Sequence, residues 1–243
     1  MGEKAIFLNS GPLFSAERLE SLDQIPEWSE YDAAAREAYD HIREIYEKHA
    51  TLLAGRPSVN ETRYFMINPS LHALGYTHTV QESVQVGNDR TARIDNVCFA
   101  SSADFYEAEP SRGSQGFFRP ALCIVRAVEW GSDFSGAVQT PAPAVEGAEA
   151  APVEPPTPGI PPASELDILL RTTGKDYGIL TNGCDWRLYH RGTSSLQDTF
   201  FQADMIAALK SDFEDFKRFY LLFRKGALTR SDAGTSFLDS VLQ

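Results

Sequence analysis

Cysteine is scarce and scattered in this chain. Cys98, Cys123 and Cys184 form no CxxC pair, so neither a disulfide framework nor a zinc knuckle is predicted. Two of the three sit in apolar runs and read as small buried hydrophobes. Long apolar runs are missing as well. Nothing reaches the ~20 consecutive apolar residues of a membrane span, and the N-terminus lacks an apolar signal core; the expected location is the cytoplasm, with no membrane partner. Positive charge is in deficit: 22 Lys and Arg face 34 Asp and Glu, a net charge of -12. Broad coating of nucleic acid needs many cations on phosphates. That class is excluded, whereas a local basic patch is not. No Gly-rich loop follows a strand, so no bound nucleotide or S-adenosylmethionine is expected. No Asn-Pro-Pro-Tyr motif occurs either, and Asn68-Pro69-Ser70 lacks the aromatic that stacks on a flipped base.

What is present reads as an ordinary globular chain. Its 243 residues are 42% apolar and 23% charged, enough for one large domain or two small ones with a sizeable core. Residues 1–57 read as an arm followed by an amphipathic helix over Asp32–Leu53, ended by Gly55 and Pro57. His41 and His49 lie on that helix without a third ligand and read as surface and half-buried positions. Ser58 or Asn60 caps a second helix, which Pro69 should kink or split. A hairpin follows, with Ser83–Val86 and Ala92–Phe99 flanking a Gly-Asn turn and Asp95 inside the second strand. Residues 101–118 read as a loop in which Phe105-Tyr106 starts a short element.

The chain is organised around Ala121–Trp130, a buried strand ending at a Trp-Gly break. Eight of the fourteen prolines fall between Pro141 and Pro162, so residues 135–163 read as a Pro/Ala-rich inserted loop. A helix from Glu165 to Thr173 stops at Gly174. Tyr177–His190 then reads as two strands joined at Asn182-Gly183, the strongest short turn signal in the sequence. Phe200–Asp204 leads into one long helix, about Met205–Lys225, whose aromatic stripe reads as core or as a docking face. The predicted class is α/β (α+β), a mixed sheet flanked by helices.

These pieces carry a resemblance. Leu13-Phe14-Ser15, Asn60-Glu61-Thr62-Arg63, Leu74-Gly75-Tyr76, Ile94-Asp95, Ala121–Gly131 and Phe219–Phe223 recur in the order of one family. The most specific block combines Gly178, Thr181, Asn182 and Gly183 with Trp186 and Tyr189. The chain resembles the N-terminal nuclease-like domain of type IIG restriction–modification and phage-defence methyltransferase polypeptides. That resemblance implies a restriction-endonuclease-like PD-(D/E)xK core over 58–230, with 231–243 beginning a connector to a methyltransferase region or subunit.

In such a core an Asp at a strand end and a Glu on the next strand bind Mg²⁺ through hard oxygens. A Lys two residues after the Glu shares its face, because strand side chains alternate, and it stabilises charge on the phosphate. A Glu from the preceding helix supports the metal. The resemblance places Asp95 at the strand-end Asp and Glu61 at the helix Glu. Arg126 stands at the metal-binding Glu, Val128 at the Lys, and Glu165 where a Gln usually follows the insertion. A guanidinium stays protonated and opposes a cation. The expectation is that Arg126 pairs with Asp95 or Glu61 in the metal's place, leaving a vestigial site with no cofactor. Mg²⁺ on Asp95 belongs to the opposite expectation, an active nuclease in which Glu107, Glu109 or Glu129 has replaced the lost Glu. A third expectation is a domain that docks a methyltransferase partner through the aromatic C-terminal helix. DNA is the expected nucleic-acid partner, with Arg93, Arg126, Arg187 and Arg191 as candidate phosphate contacts.

Overall fold

Alternation along one short strand decides which residues meet. The computed structural model describes residues 5–87, 90–134 and 160–242. Within them run β1 (Phe7–Ser10), β2 (Thr77–His78), β3 (Glu82–Val86), β4 (Arg90–Ile94), β5 (Asn96–Phe99), β6 (Cys123–Ala127), β7 (Tyr177–Thr181), β8 (Asp185–His190) and β9 (Phe200–Asp204). Seven strands form a mixed sheet in the order β1-β9-β8-β7-β6-β5-β2, while β3 and β4 pair apart from it as a two-stranded ribbon. β6 and β7 run parallel, and the chain returns between them through the crossover helix Pro162–Thr173. The architecture is a mixed α/β sheet with helices on both faces.

Period two sorts β6 between two apolar layers. Cys123, Val125 and Ala127 face a layer that includes Ile42 of the long helix Asp32–Ala54 and Phe216, Phe219 and Phe223 of the helix Phe213–Phe223. Ile124 faces the other layer with Leu166, Leu169 and Leu170 of the crossover helix and Val84, Ala92 and Ile94 of the ribbon. Arg126 shares Ile124's parity and emerges on the crossover-helix side. A Cβ on Gly178 would come within 2.9 Å of Leu166 and 3.1 Å of Leu170, so this glycine lets the crossover helix lie close on β7.

Several sequence expectations need correction. Ala92–Phe99 is not one strand: it breaks at Asp95, where β4 of the ribbon ends and β5 of the main sheet begins. Ile94, Asp95, Asn96 and Val97 are all fully buried, and such a run has no single exposed face to keep in one ladder. The helix around Pro69 is split as expected, but by a π-helical turn: Arg63–Ile67 separates Val59–Thr62 from Asn68–Ala73, and Pro69 stands in the first turn of the latter. The expected loop 101–118 contains the helix Ser102–Ala108, capped by the Ser101 hydroxyl. The long C-terminal helix is interrupted at Ser211-Asp212, because Asp212 caps a new helix through the Asp215 N–H at 3.0 Å. The crossover helix begins at Pro162 rather than Glu165.

The ends of the chain also do more than expected. The arm supplies edge strand β1, antiparallel to β9. Residues 237–241, read as part of a connector, form a capping-box helix with Leu238 fully buried, and Ser15 N–H donates to the Val241 carbonyl at 3.0 Å. Most of the Pro-rich insertion, residues 135–159, lies outside the described residues.

Candidate functional site: an aspartate ringed by arginines

Asp95 sits at the break between ribbon and sheet, and its side chain is fully buried. Its backbone holds it from both sides. Asp95 N–H donates to the Val125 carbonyl at 3.1 Å, and its carbonyl accepts from Gln81 N–H at 2.9 Å. One carboxylate oxygen, Oδ2, accepts from Ala127 N–H at 2.9 Å and from Arg126 Nη1 at 2.5 Å. The other, Oδ1, faces Arg63 Nη1 at 3.5 Å and Arg93 Nη2 at 3.6 Å. Arg126 turns its remaining edge to the crossover helix, where Nε donates to Glu165 Oε2 at 2.8 Å. A guanidinium therefore bridges a sheet carboxylate and a helix carboxylate.

Three guanidiniums surround two carboxylates here. Burial works against the Arg126 charge, but Asp95 and Glu165 more than offset it, so its pKa rises above the ordinary arginine value. Arg63 differs. Its side chain is 5% exposed, and burial pulls its pKa below the usual value against the help of Asp95, with Arg93 and Arg126 pushing the same way as burial. Gln81 relieves some of this crowding. With its amide oxygen turned inward it accepts from Arg93 Nη2 at 2.8 Å and Arg63 Nη1 at 3.0 Å. Gln81 does so from a left-handed backbone, φ +61°, a conformation that a non-glycine residue holds at a cost of order 1–3 kcal/mol.

The structure thus brings Asp95, Arg126 and Glu165 together and leaves two expected members out. Glu61 is exposed. Its carboxylate closes a capping box, accepting from Ser58 N–H at 2.9 Å and Ser58 Oγ at 2.8 Å. The Ser58 backbone and hydroxyl donors hold its pKa below the usual carboxylate range. The pairing of Arg126 with Glu61 is corrected accordingly: Glu165 is the second partner. Val128 packs half-buried beside the crossover-helix layer and donates its N–H to the Thr181 carbonyl at 2.9 Å. Glu107 and Glu109 are exposed, and Glu109 pairs with Arg112 at 3.2 Å. None of Glu107, Glu109 and Glu129 is bonded to Asp95.

Two members of the cluster, Arg63 and Gln81, were not foreseen. The widened π turn moves Arg63 off the phase that a 3.6-residue repeat predicts. Gln81 carries no signal, since left-handed backbone at a glutamine is not written in composition.

The specific sequence block is structural. Asn182 Oδ1 accepts from Cys184 N–H at 2.9 Å and Asp185 N–H at 2.6 Å, Asn182 Nδ2 donates to the Ser132 carbonyl at 2.7 Å, and Thr181 Oγ1 accepts from Gly183 N–H at 3.0 Å. Trp186 and Tyr189 are fully buried. The other candidate phosphate contacts are engaged within the fold. Arg187 lies between the Phe134 and Phe200 rings at 4.3 and 4.0 Å and donates to Gln202 at 2.7 Å, and Arg191 pairs with Asp176 at 2.7 Å. Phe216, Phe219 and Phe223 are fully buried, so these aromatics of the stripe are core, while Phe213 is half-buried. His41 is exposed, and His49 packs on Phe65 with ring centroids 4.7 Å apart.

Among the described residues no group of three or more His, Cys, Asp or Glu is placed to hold a metal ion, and no helix is long and apolar enough to cross a membrane. No family model, curated protein or solved structure matches the chain.

Proposed function

We propose that this chain is a restriction-endonuclease-like module of a restriction–modification or phage-defence system, one that contacts DNA or holds an assembly together without cutting. The observation that carries the reading is Arg126, hydrogen-bonded at once to Asp95 and Glu165. A cutting site of this kind would need those carboxylates, one at a strand end and one on the crossover helix, as ligands for a divalent ion. Here a fixed cation takes that place.

The residues present do not fit Mg²⁺. Asp95 Oδ2 already accepts two hydrogen bonds, and Oδ1 faces two further guanidiniums. At an effective dielectric near 20, a unit cation ~4 Å away opposes each positive charge of an incoming ion by about 4 kcal/mol, and three such cations surround the site. Val128 supplies no ammonium to stabilise charge developing on a phosphate. What the residues can do is hold an anion. Arg93 is 46% exposed at its side chain and Arg126 is 19% exposed, so guanidinium edges reach solvent beside a neutralised aspartate. A methyltransferase region or separate subunit supplies the modification chemistry in this reading.

Two measurements test it. Calorimetric titration with Mg²⁺ and Mn²⁺ is expected to show no uptake at Asp95, and supercoiled plasmid is expected to stay intact with either ion. Cleavage by the wild-type chain that Asp95→Ala abolishes would overturn the reading and favour an active nuclease.

A further inference from the structure

The β3–β4 ribbon has one face packed and one face exposed, on which Thr91 Oγ1 donates to Gln85 Oε1 at 3.4 Å. Val84, Ala92 and Ile94 point into the layer shared with the crossover helix. By alternation Ser83, Gln85, Thr91 and Arg93 point the other way, and all four are exposed. The register sets them in directly opposed pairs, Ser83 with Arg93 and Gln85 with Thr91. The same parity continues to Gln81 and Asp95 at the ribbon's root, where Gln81 N–H meets the Asp95 carbonyl at 2.9 Å. The outer face of the ribbon is therefore continuous with the arginine cluster.

We infer that this ribbon enters a groove of duplex DNA, with Ser83, Gln85 and Thr91 against base edges and the arginines at its root on the backbone. The inference rests on the reading above that the cluster contacts DNA. The major groove admits a two-stranded β-ribbon, and Gln, Thr, Ser and Arg are the side chains that hydrogen-bond its base edges. Each five-residue strand spans ~17 Å, enough to reach across that groove. Charge favours this face over others. The chain as a whole carries -12, yet the one ribbon carboxylate among the described residues, Glu82, is turned inward and buried against Arg112 at 3.0 Å. Among the described residues the outer face of the two strands presents hydroxyls, an amide and a guanidinium and no carboxylate. Its inner face is anchored in the core, so the ribbon is held rigid for docking and little ordering entropy is lost on binding.

Fluorescence anisotropy with a labelled duplex of about three helical turns, enriched by the wild-type chain from a random-sequence pool, tests this on the full chain at low and moderate salt. The wild type is expected to bind. The triple variant Ser83→Ala, Gln85→Ala, Thr91→Ala should lose about tenfold in affinity or more, and Gln85→Glu with Thr91→Glu should lose more through repulsion. All these positions are exposed, and unchanged thermal unfolding confirms an intact fold. Binding that persists undiminished in both ribbon variants but falls in Arg93→Ala would overturn the ribbon and keep the cluster as the DNA contact. Absence of wild-type binding would overturn the ribbon and the DNA-contacting half of the proposed function, while the metal titration still decides whether the site is a non-cutting one.

Discussion

Replacing Arg126 by methionine keeps most of the side-chain length and removes the charge. The change strips Asp95 of its shortest partner and leaves Glu165 without its helix-to-sheet link. Breaking a buried pair by deleting one member costs about 3–5 kcal/mol. Asp95 keeps Ala127 N–H at 2.9 Å and two guanidiniums at 3.5 and 3.6 Å, which places the loss at that oxygen near the low end. Glu165 is 21% exposed at its side chain, so its link adds at most about 1 kcal/mol. The expected loss is about 3 kcal/mol. For a chain of this length, at about 2–4 °C per kcal/mol, that corresponds to a fall in Tm of about 6–12 °C. Urea unfolding of wild type, Arg126→Met, Asp95→Asn and the double variant closes a cycle. Since the double variant removes both charges, its cost should fall short of the sum of the singles by about 2 kcal/mol. An Arg126→Met chain within about 0.5 kcal/mol of wild type, or strict additivity in the cycle, would refute a bridging guanidinium.

Two further outcomes follow from other parts of the fold. Gly183 has φ +85°, and a Cβ there would stand 2.6 Å from the Trp130 ring. Gly183→Ala should therefore cost at least the ~1–2 kcal/mol of a left-handed non-glycine residue, plus displacement of Trp130, read by chemical unfolding and Trp fluorescence. An undisturbed emission spectrum with unchanged stability would count against the packing described. His78 is held neutral: burial pushes its pKa down, and its Nε2 meets the Asn68 carbonyl at 3.2 Å while Nδ1 faces the Asn96 amide at 3.2 Å. A base whose folded pKa is depressed binds fewer protons than in the unfolded chain, so stability rises with pH between the two pKa values. Stability should thus decline as pH falls below about 6.5, and His78→Gln should flatten that decline. Equal slopes in the two chains would sink the assignment.

The sequence held the scaffold more fully than the site. The helix Asp32–Ala54 follows from apolar residues at helical spacing, and the turn between β7 and β8 follows from Asn182-Gly183, whose backbone only a glycine enters cheaply. The meeting of Asp95 with Arg126 was legible because adjacent strands and period two place both on one side. Glu165 was legible as a residue but not as a partner, because its approach depends on how the crossover helix lies on Gly178. Arg63 and Gln81 were hidden for local reasons, a π turn and a left-handed residue, that no hydrophobic period records. Strand β1 was hidden because Phe7–Ser10 is a short edge strand with neither face fully buried.

The position of Asp95 ties the stability of the fold to the cluster proposed to contact DNA. It lies where the ribbon departs from the sheet, so a carboxylate there is surrounded by backbone from both and cannot stay solvated. Arg126 from β6, Arg63 from the π turn and Arg93 from the ribbon neutralise it from three elements, and β6 adds the Ala127 N–H to the same carboxylate. Losing any of them weakens the fold, and a lost DNA affinity in an Arg126 variant would not by itself identify a ligand contact. The outer ribbon residues carry no such burden: Ser83 and Thr91 are exposed, and neither touches Asp95. Affinity lost there with stability unchanged would report on the proposed recognition alone, whereas stability lost at Arg126 reports on the charge that bridges Asp95 and Glu165.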